Sequence, residues 1–201
     1  ELELEQAFVN YHNDNWGFQG GVILPSIGLI NEYHEPALFL SVERPLYNKY
    51  IIPTTWFGNG VAFYGEMFGI KGRIALLEDL NGEDIGYGIR NARGKGFKTT
   101  AFNWTKNISL NYTEFPGLKL GASVTINDAP IDDDKNNSVN VSIVEFHAVY
   151  DAHNFHSVIE YGNIDYDNNP VEINSSSGYY FDLGYDISRH INFNGKLMPW
   201  L

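Results

Sequence analysis

Three groups of side chains in this 201-residue chain have the types and spacing that chemistry uses. Glu32, His34 and Glu35 lie close together in a stretch bounded by prolines. Carboxylate and imidazole this close can ligate a metal ion or exchange protons. The plainer reading, and the expected one, is pairing with Arg44 that pins a long loop. Arg73, Arg90, Arg93 and Lys95 form the main basic group. Along a solute path, Arg90, Arg93 and Lys95 attract anions; as a solvated loop they only balance Glu83 and Asp84. The sequence leaves both readings open. The third group, Lys119, Glu145, His147, His156, Glu160, Asp182 and Asp186, falls on alternate positions of extended runs, which marks a wetted face and not a catalytic pair. Asp128, Asp132, Asp133 and Asp134 lack the residue order of an EF-hand, so they read as an exposed acidic loop. No Ser-His-Asp order, nucleophile elbow or phosphate-cradling glycine loop stands in a supporting context. The expectation is a protein that is not an enzyme, without catalytic residues, metal or cofactor.

Composition narrows the classes further. Asp and Glu number 25 against 13 Lys and Arg, a net charge of −12, which argues against nucleic acid as a partner. Apolar residues make up 43%, enough for a core, and aromatics reach 15%. The absence of Cys removes disulfides, thiolate metal sites and cysteine nucleophiles. No apolar run is long enough for a membrane-spanning helix. The chain opens on an acidic alternating run instead of a leader, so it reads as a processed chain or a piece of a longer one.

The elements that must position these groups are strands. Leu118, Leu120, Ala122, Val124 and Ile126 alternate with Lys119, Gly121, Ser123 and Thr125, a period of two that recurs nearly everywhere. It predicts about ten strands, near 2–12, 16–24, 61–69, 72–79, 102–112, 117–126, 140–152, 154–163, 177–188 and 190–197. Residues 31–57 hold three prolines and no clean period, so they read as a long structured loop; 80–100, 127–139 and 164–176 read as further long loops. Two architectures use alternating strands of this length. A soluble β-sandwich turns the apolar face inward, whereas a transmembrane β-barrel turns it to lipid, with aromatic girdles and alternating short turns and long loops. The small polar residues on the alternate face and the aromatics near strand ends favour the barrel. A soluble or surface-attached carbohydrate-binding sandwich is the alternative.

The run Gly17-Phe-Gln-Gly-Gly-Val-Ile-Leu-Pro-Ser-Ile-Gly-Leu-Ile-Asn-Glu-Tyr-His-Glu-Pro36, with Val42-Glu-Arg-Pro45 and Tyr50-Ile-Ile-Pro-Thr-Thr-Trp56, resembles bacterial outer-membrane porins akin to the phosphate-selective (O/P-type) family. Gly60-Val-Ala-Phe-Tyr-Gly65, the stretch 81–95 and Pro116-Gly-Leu-Lys-Leu-Gly-Ala-Ser123 continue the resemblance in order, over roughly residues 5 to 190. It implies an all-β antiparallel transmembrane β-barrel of about 16 strands in the bacterial outer membrane. About ten are visible, so the chain reads as a single barrel domain that is part of a longer barrel. The function implied is passive diffusion of small hydrophilic solutes, anionic phosphate-like ones included. The expected partners are outer-membrane lipid, those solutes, and further copies (a trimer) or other outer-membrane proteins.

On that reading Ile108, Leu110, Leu118, Leu120, Val124, Phe146, Phe181 and Leu183 face lipid, and Lys119, Glu145, His147 and Asp182 face the interior. His156, Glu160 and Asp186 join them on a lumen wall where water solvates the charge. Residues 31–57 are expected to pack inward, because Leu38, Leu40, Val42, Leu46, Ile51, Ile52 and Trp56 are too apolar for a solvated loop. Glu32, His34, Glu35 and Arg44 then line a constriction, with Arg90, Arg93 and Lys95 near the solute path. Replacing Arg90 and Arg93 by Ala is expected to lower anion-over-cation permeability.

Overall fold

The alternation becomes one antiparallel sheet. The computed structural model describes residues 6–32, 40–41, 43–132 and 134–201. Nine strands are joined strictly in chain order: β1 (Ala7–Asn13), β2 (Trp16–Ile23), β3 (Gly58–Met67), β4 (Ile70–Leu77), β5 (Thr105–Tyr112), β6 (Leu118–Ile131), β7 (Asp134–Ala152), β8 (Phe155–Asp167) and β9 (Ser175–Tyr185). Among the described residues β1 and β9 do not pair with each other, so the sheet is open and the expected closure into a barrel is not seen.

Every turn at one end of the sheet is short. Residues 14–15, 68–69, 113–117 and 153–154 make these connections. His153 and Asn154 both have positive φ, as do Phe68 and Gly69, and this backbone matches the twist of the flanking strands. At the other end, residues 24–57 and 78–104 make long connections. The first contains α1 (Gly28–Glu32) and α2 (Leu46–Tyr50), each five residues long. Prolines limit them: Pro45 caps α2 and Pro53 follows closely, where a helix interior would lose a hydrogen bond.

Two expected elements differ. The span 127–139 is not a long loop. β6 runs on to Ile131 and β7 starts at Asp134, because Ala129 and Val139 bury their side chains against Leu80, Ile85 and Ile89. The tenth strand expected at 190–197 does not form. Asn192 has φ 51°, a left-handed backbone that breaks an extended run. The chain instead returns along β9 just afterwards, where Leu183 and Leu201 exchange two backbone hydrogen bonds and Gly184 bridges Trp200.

The sheet's two faces are covered in the reverse of the usual order. Ile108 and Leu110 on β5 are 51% and 54% exposed, whereas Asn107 and Ser109 between them are 0% and 4% exposed. Phe63, Ile74, Leu120, Val124, Phe146 and Phe181 extend the exposed apolar face. The long connections fold over the polar face. Ile27, Tyr47, Ile52 and Trp56 from the first join Leu80, Ile85, Ile89 and Ala92 from the second. Together they pack on Val141, Ile143 and Ile164 of β7 and β8. A smaller cluster, Ile23, Ala62, Ala75 and Leu77, lies on β2–β4. Burying each such side chain contributes about 1.5–3 kcal/mol, which is what draws an otherwise loop-like, proline-rich segment onto the sheet. Within it Ile52 and Trp56 are buried as expected and Ile51 partly so, while Leu46 is exposed; Leu38 and Val42 lie outside the described residues.

Candidate solute path on the polar face

Register lines the polar-face residues into cross-strand rows. One row runs His12, Gly17, Tyr64, Arg73, Ser109, Ser123, Glu145, Gly162 and Gly178 from β1 to β9. The next, nearer the short turns, runs Glu66, Lys71, Asn111, Gly121, His147, Glu160 and Tyr180. Lys71, Arg73 and Lys119 make the β4–β6 part of this face basic. Glu145, Glu160 and Asp182 make the β7–β9 part acidic.

Over the basic part lies a hollow of about 640 Å3 whose lining includes the cations Lys71, Arg73 and Lys119 and the acids Asp14 and Glu66, with Tyr64. Tyr64 stacks on His12 and donates to Asn10 Oδ1 at 3.0 Å. The cations here are already engaged. Arg73 donates to Leu24 O at 2.8 Å, Ser26 Oγ and Gln19 Oε1, and Lys71 pairs with Glu66 at 3.6 Å. Such an exposed pair contributes little to stability.

The inward connections are held by side chains that satisfy backbone. Asn107 accepts from Ser26 N at 3.1 Å and donates to Ser26 O. Asn31 accepts from Trp56 N at 2.7 Å and donates to Pro25 O and Trp56 O. Arg93 is buried; its guanidinium donates to Thr54 O (2.6 Å), Thr55 O (2.9 Å) and Arg90 O. Arg44 donates to Thr54 Oγ1. Two buried acids organise the other connection. Glu78 accepts from Asn59 and from Gly96 N, and Asp79 accepts from Phe102 N, Asn103 N and Asn127 Nδ2.

The acidic part is dry under the inward segment. Glu145 is fully buried, accepts from Ser123 Oγ at 3.0 Å and lies 2.7 Å from His147 Nδ1, whose Nε2 faces Asn111 Oδ1 at 3.1 Å. Glu160 is fully buried as well. Tyr47, from α2, packs its ring 5.7 Å from that of Tyr180, and both phenols lie beside Glu160. Burial above all, and then the carboxylates of Glu160 and Glu145, push the Tyr47 phenol far above its usual range. The expected picture of wall charges solvated by water therefore fails at Glu145 and Glu160, since the segment covering them excludes solvent.

The remaining candidate residues are scattered. Arg90 is exposed and Lys95 half-buried on the second connection. Half-buried His156 lies 3.6 Å from Asp151, and Asp182 is half-buried opposite Val158. Asp186 lies just past β9, where Ser188 holds its carboxyl below the usual carboxylate range by hydrogen bonds from its side chain and backbone. Glu32 ends α1; His34 and Glu35, like Asp133, lie outside the described residues. Thus the structure brings Glu145, His147 and Glu160 together, and gathers Arg44 and Arg93 on Thr54. Among the described residues no three His, Asp or Glu side chains group as a metal site. Glu78, Asp79, Asn107 and Tyr47 were not singled out from the sequence. The buried amide of Asn107 stood in the alternating pattern as one more polar position.

No family model matches the chain. A protein of Aquifex aeolicus (strain VF5), described only as an uncharacterized protein, is similar to it, at 26% identity over 219 residues. That similarity spans 98% of this chain and 50% of the relative, so the chain covers about half the relative's length.

Proposed function

We propose that this chain builds wall of an outer-membrane, porin-like β-barrel through which small hydrophilic solutes diffuse passively, anionic phosphate-like ones included. The observation that carries this reading is the reversed covering of the sheet. An exposed apolar face spanning nine strands far exceeds the few hundred Å2 that water-soluble proteins leave bare. Lipid is the solvent that suits it, and a sheet in lipid needs closure so that no edge is left unpaired.

The height of the apolar band supports the same reading. On β6 it runs from Leu118 to Ile126 and ends at Asp128; on β9 it runs from Tyr185 to Tyr179 and ends at Ser177. At about 3.3 Å per residue these spans reach roughly 20–26 Å along the strand, near the 25 Å band of membrane barrels. Tyr11, Trp16, Tyr112, Phe115, Phe155 and Tyr185 gather at the short-turn end, and Trp104, Tyr161 and Tyr179 nearer the other. Such belts sit at membrane interfaces. On this reading residues 24–57 narrow the path from within, and the rows from Lys71 and Arg73 to Glu145 and Glu160 face the solute side. The sandwich alternative lacks a partner layer: the described residues form one sheet.

The test is reconstitution of the full-length protein. Stepwise conductance in planar bilayers, from protein that needs detergent or lipid to stay dispersed, is the expected result. A protein that is monodisperse in detergent-free buffer and conducts nothing contradicts the proposal.

A further inference from the structure

The connection that follows β9 departs from the rule at its end of the sheet. The turns there are two to five residues long, whereas residues 186–196 separate β9 from the run 197–201 that returns along it. This longer connection is held by its own hydrogen bonds. Asp186 Oδ1 accepts from Ser188 N at 2.9 Å, Ser188 O accepts from Phe193 N at 2.9 Å, and Ser188 Oγ accepts from Leu197 N at 2.6 Å. It also folds toward the apolar face and away from the path. Tyr185 shares that face with Phe181 by the alternation of β9. Its ring packs 4.7 Å from that of Phe155 and stacks on His190, whose Nε2 lies 2.9 Å from the Tyr185 hydroxyl. The β7–β8 turn repeats the contact, with His153 stacked on Tyr150 and bonded to its hydroxyl at 2.8 Å.

Ile191 and Phe193 at the tip of this connection are more than half exposed, although the backbone that carries them is tied down. Arg189 and Lys196 flank them, and no Asp or Glu stands between Ser188 and Leu201 in a chain whose net charge is −12. An apolar tip between two cations, beside an aromatic belt, suits a membrane interface: the apolar side chains enter the acyl boundary and the cations meet phosphates. Lipid fits better than a protein partner because Tyr185 and Phe155 make the tip continuous with the apolar face, so whatever covers that face reaches the turn. We propose that residues 189–196 clamp an anionic phospholipid headgroup, with Arg189 and Lys196 on its phosphate and Ile191 and Phe193 among the upper acyl carbons. The inference rests on the reading of the apolar face as lipid-facing and adds which lipid is drawn to this rim. Arg189 carries the larger share, because Lys196 also lies near Asp186, whose carboxylate competes with the phosphate.

The chain has no Cys, so a single bimane fluorophore on Asn194→Cys, an exposed position beside the tip, reads the local lipid. In full-length protein in vesicles, quenching by phosphatidylglycerol is compared with quenching by phosphatidylcholine. Both lipids carry a nitroxide at the same upper acyl carbon and are present at the same mole fraction. Phosphatidylglycerol is expected to quench more, with a local enrichment of up to about fivefold for each cation. Arg189→Gln is expected to remove the larger part, and Lys196→Gln added to it to make the two lipids equal. Equal quenching in the protein that keeps both cations overturns the clamp, as does a preference that survives both substitutions. A bimane on Ile108→Cys separates the two proposals. Quenching at 108 with none at 194 keeps the membrane wall and removes the clamp; lipid-selective quenching at 194 with none at 108 does the reverse.

Discussion

Ile108 and Asn107 are neighbours on one strand with opposite fates. The isoleucine, with Leu110 and Phe146, is about half exposed, while Asn107, Ser109 and Glu145 are buried, Asn107 against Ser26 of the first long connection. On the apolar face side chains stand opposite one another across strands, as Ile108 and Val124 do. On the polar face almost every contact is specific: a backbone N–H to Asn107, a guanidinium to two carbonyls, a carboxylate to two loop amides. The difference teaches that one side of this sheet organises the chain's own loops while the other leaves its apolar side chains exposed, which on the proposed reading is the side that meets hydrocarbon.

Substitutions sharpen that comparison, the largest effect first. Trp56→Ala removes a ring buried among Ile27, Ile52 and Leu80 while keeping the backbone bonds to Asn31. It is expected to lower stability by about 3–5 kcal/mol, read as a shift of the denaturant midpoint in detergent micelles. Phe146→Arg places a charge in the middle of the apolar band and is expected to reduce assembly in lipid vesicles by about 2–4 kcal/mol. The same change would leave a water-facing sheet unharmed, so undiminished assembly would break the comparison. Arg93→Gln leaves the Thr54 and Thr55 carbonyls short of donors, at about 1–3 kcal/mol. Its signature is loosening of the 24–57 segment in hydrogen exchange.

Arg90→Ala comes last. An exposed arginine is expected to leave stability within about 0.5 kcal/mol and to lower anion-over-cation permeability slightly in planar bilayers. A large loss of stability instead would show Arg90 to be a structural pin like Arg93.

The period-two pattern made the sheet legible before any coordinates. Alternation depends only on side chains taking opposite faces, and β5, β6 and β9 are long enough to display it several times over. The burial of Ile52 and Trp56 was legible for the same elementary reason, apolar surface in a segment that cannot be strand. What was hidden depends on distant partners. Glu78 and Asp79 look like ordinary surface acids until Gly96, Phe102 and Asn127 come to them through space. β6 and β7 outrun their expected ends because Ala129 and Val139 find Leu80 and Ile85. The expected strand at 190–197 had the right alternation in Ile191 and Phe193, yet Asn192 adopts a left-handed backbone that breaks it. At the candidate site the rows were predictable but their dryness was not, because whether Glu145 and Glu160 meet water depends on where Tyr47 and Gly28 settle.

Whether hydrocarbon touches the face that carries Ile108 and Leu110 is the central question, and spin labels answer it directly. Single cysteines at 108, 109 and 110 in the full-length protein in lipid vesicles carry nitroxides whose collisions with oxygen and with a water-soluble nickel complex are compared. The predicted result is oxygen-rich, nickel-poor collision at 108 and 110, with the label at 109 shielded from lipid. Nickel access at 108 and 110 as great as in bulk water would contradict a membrane wall.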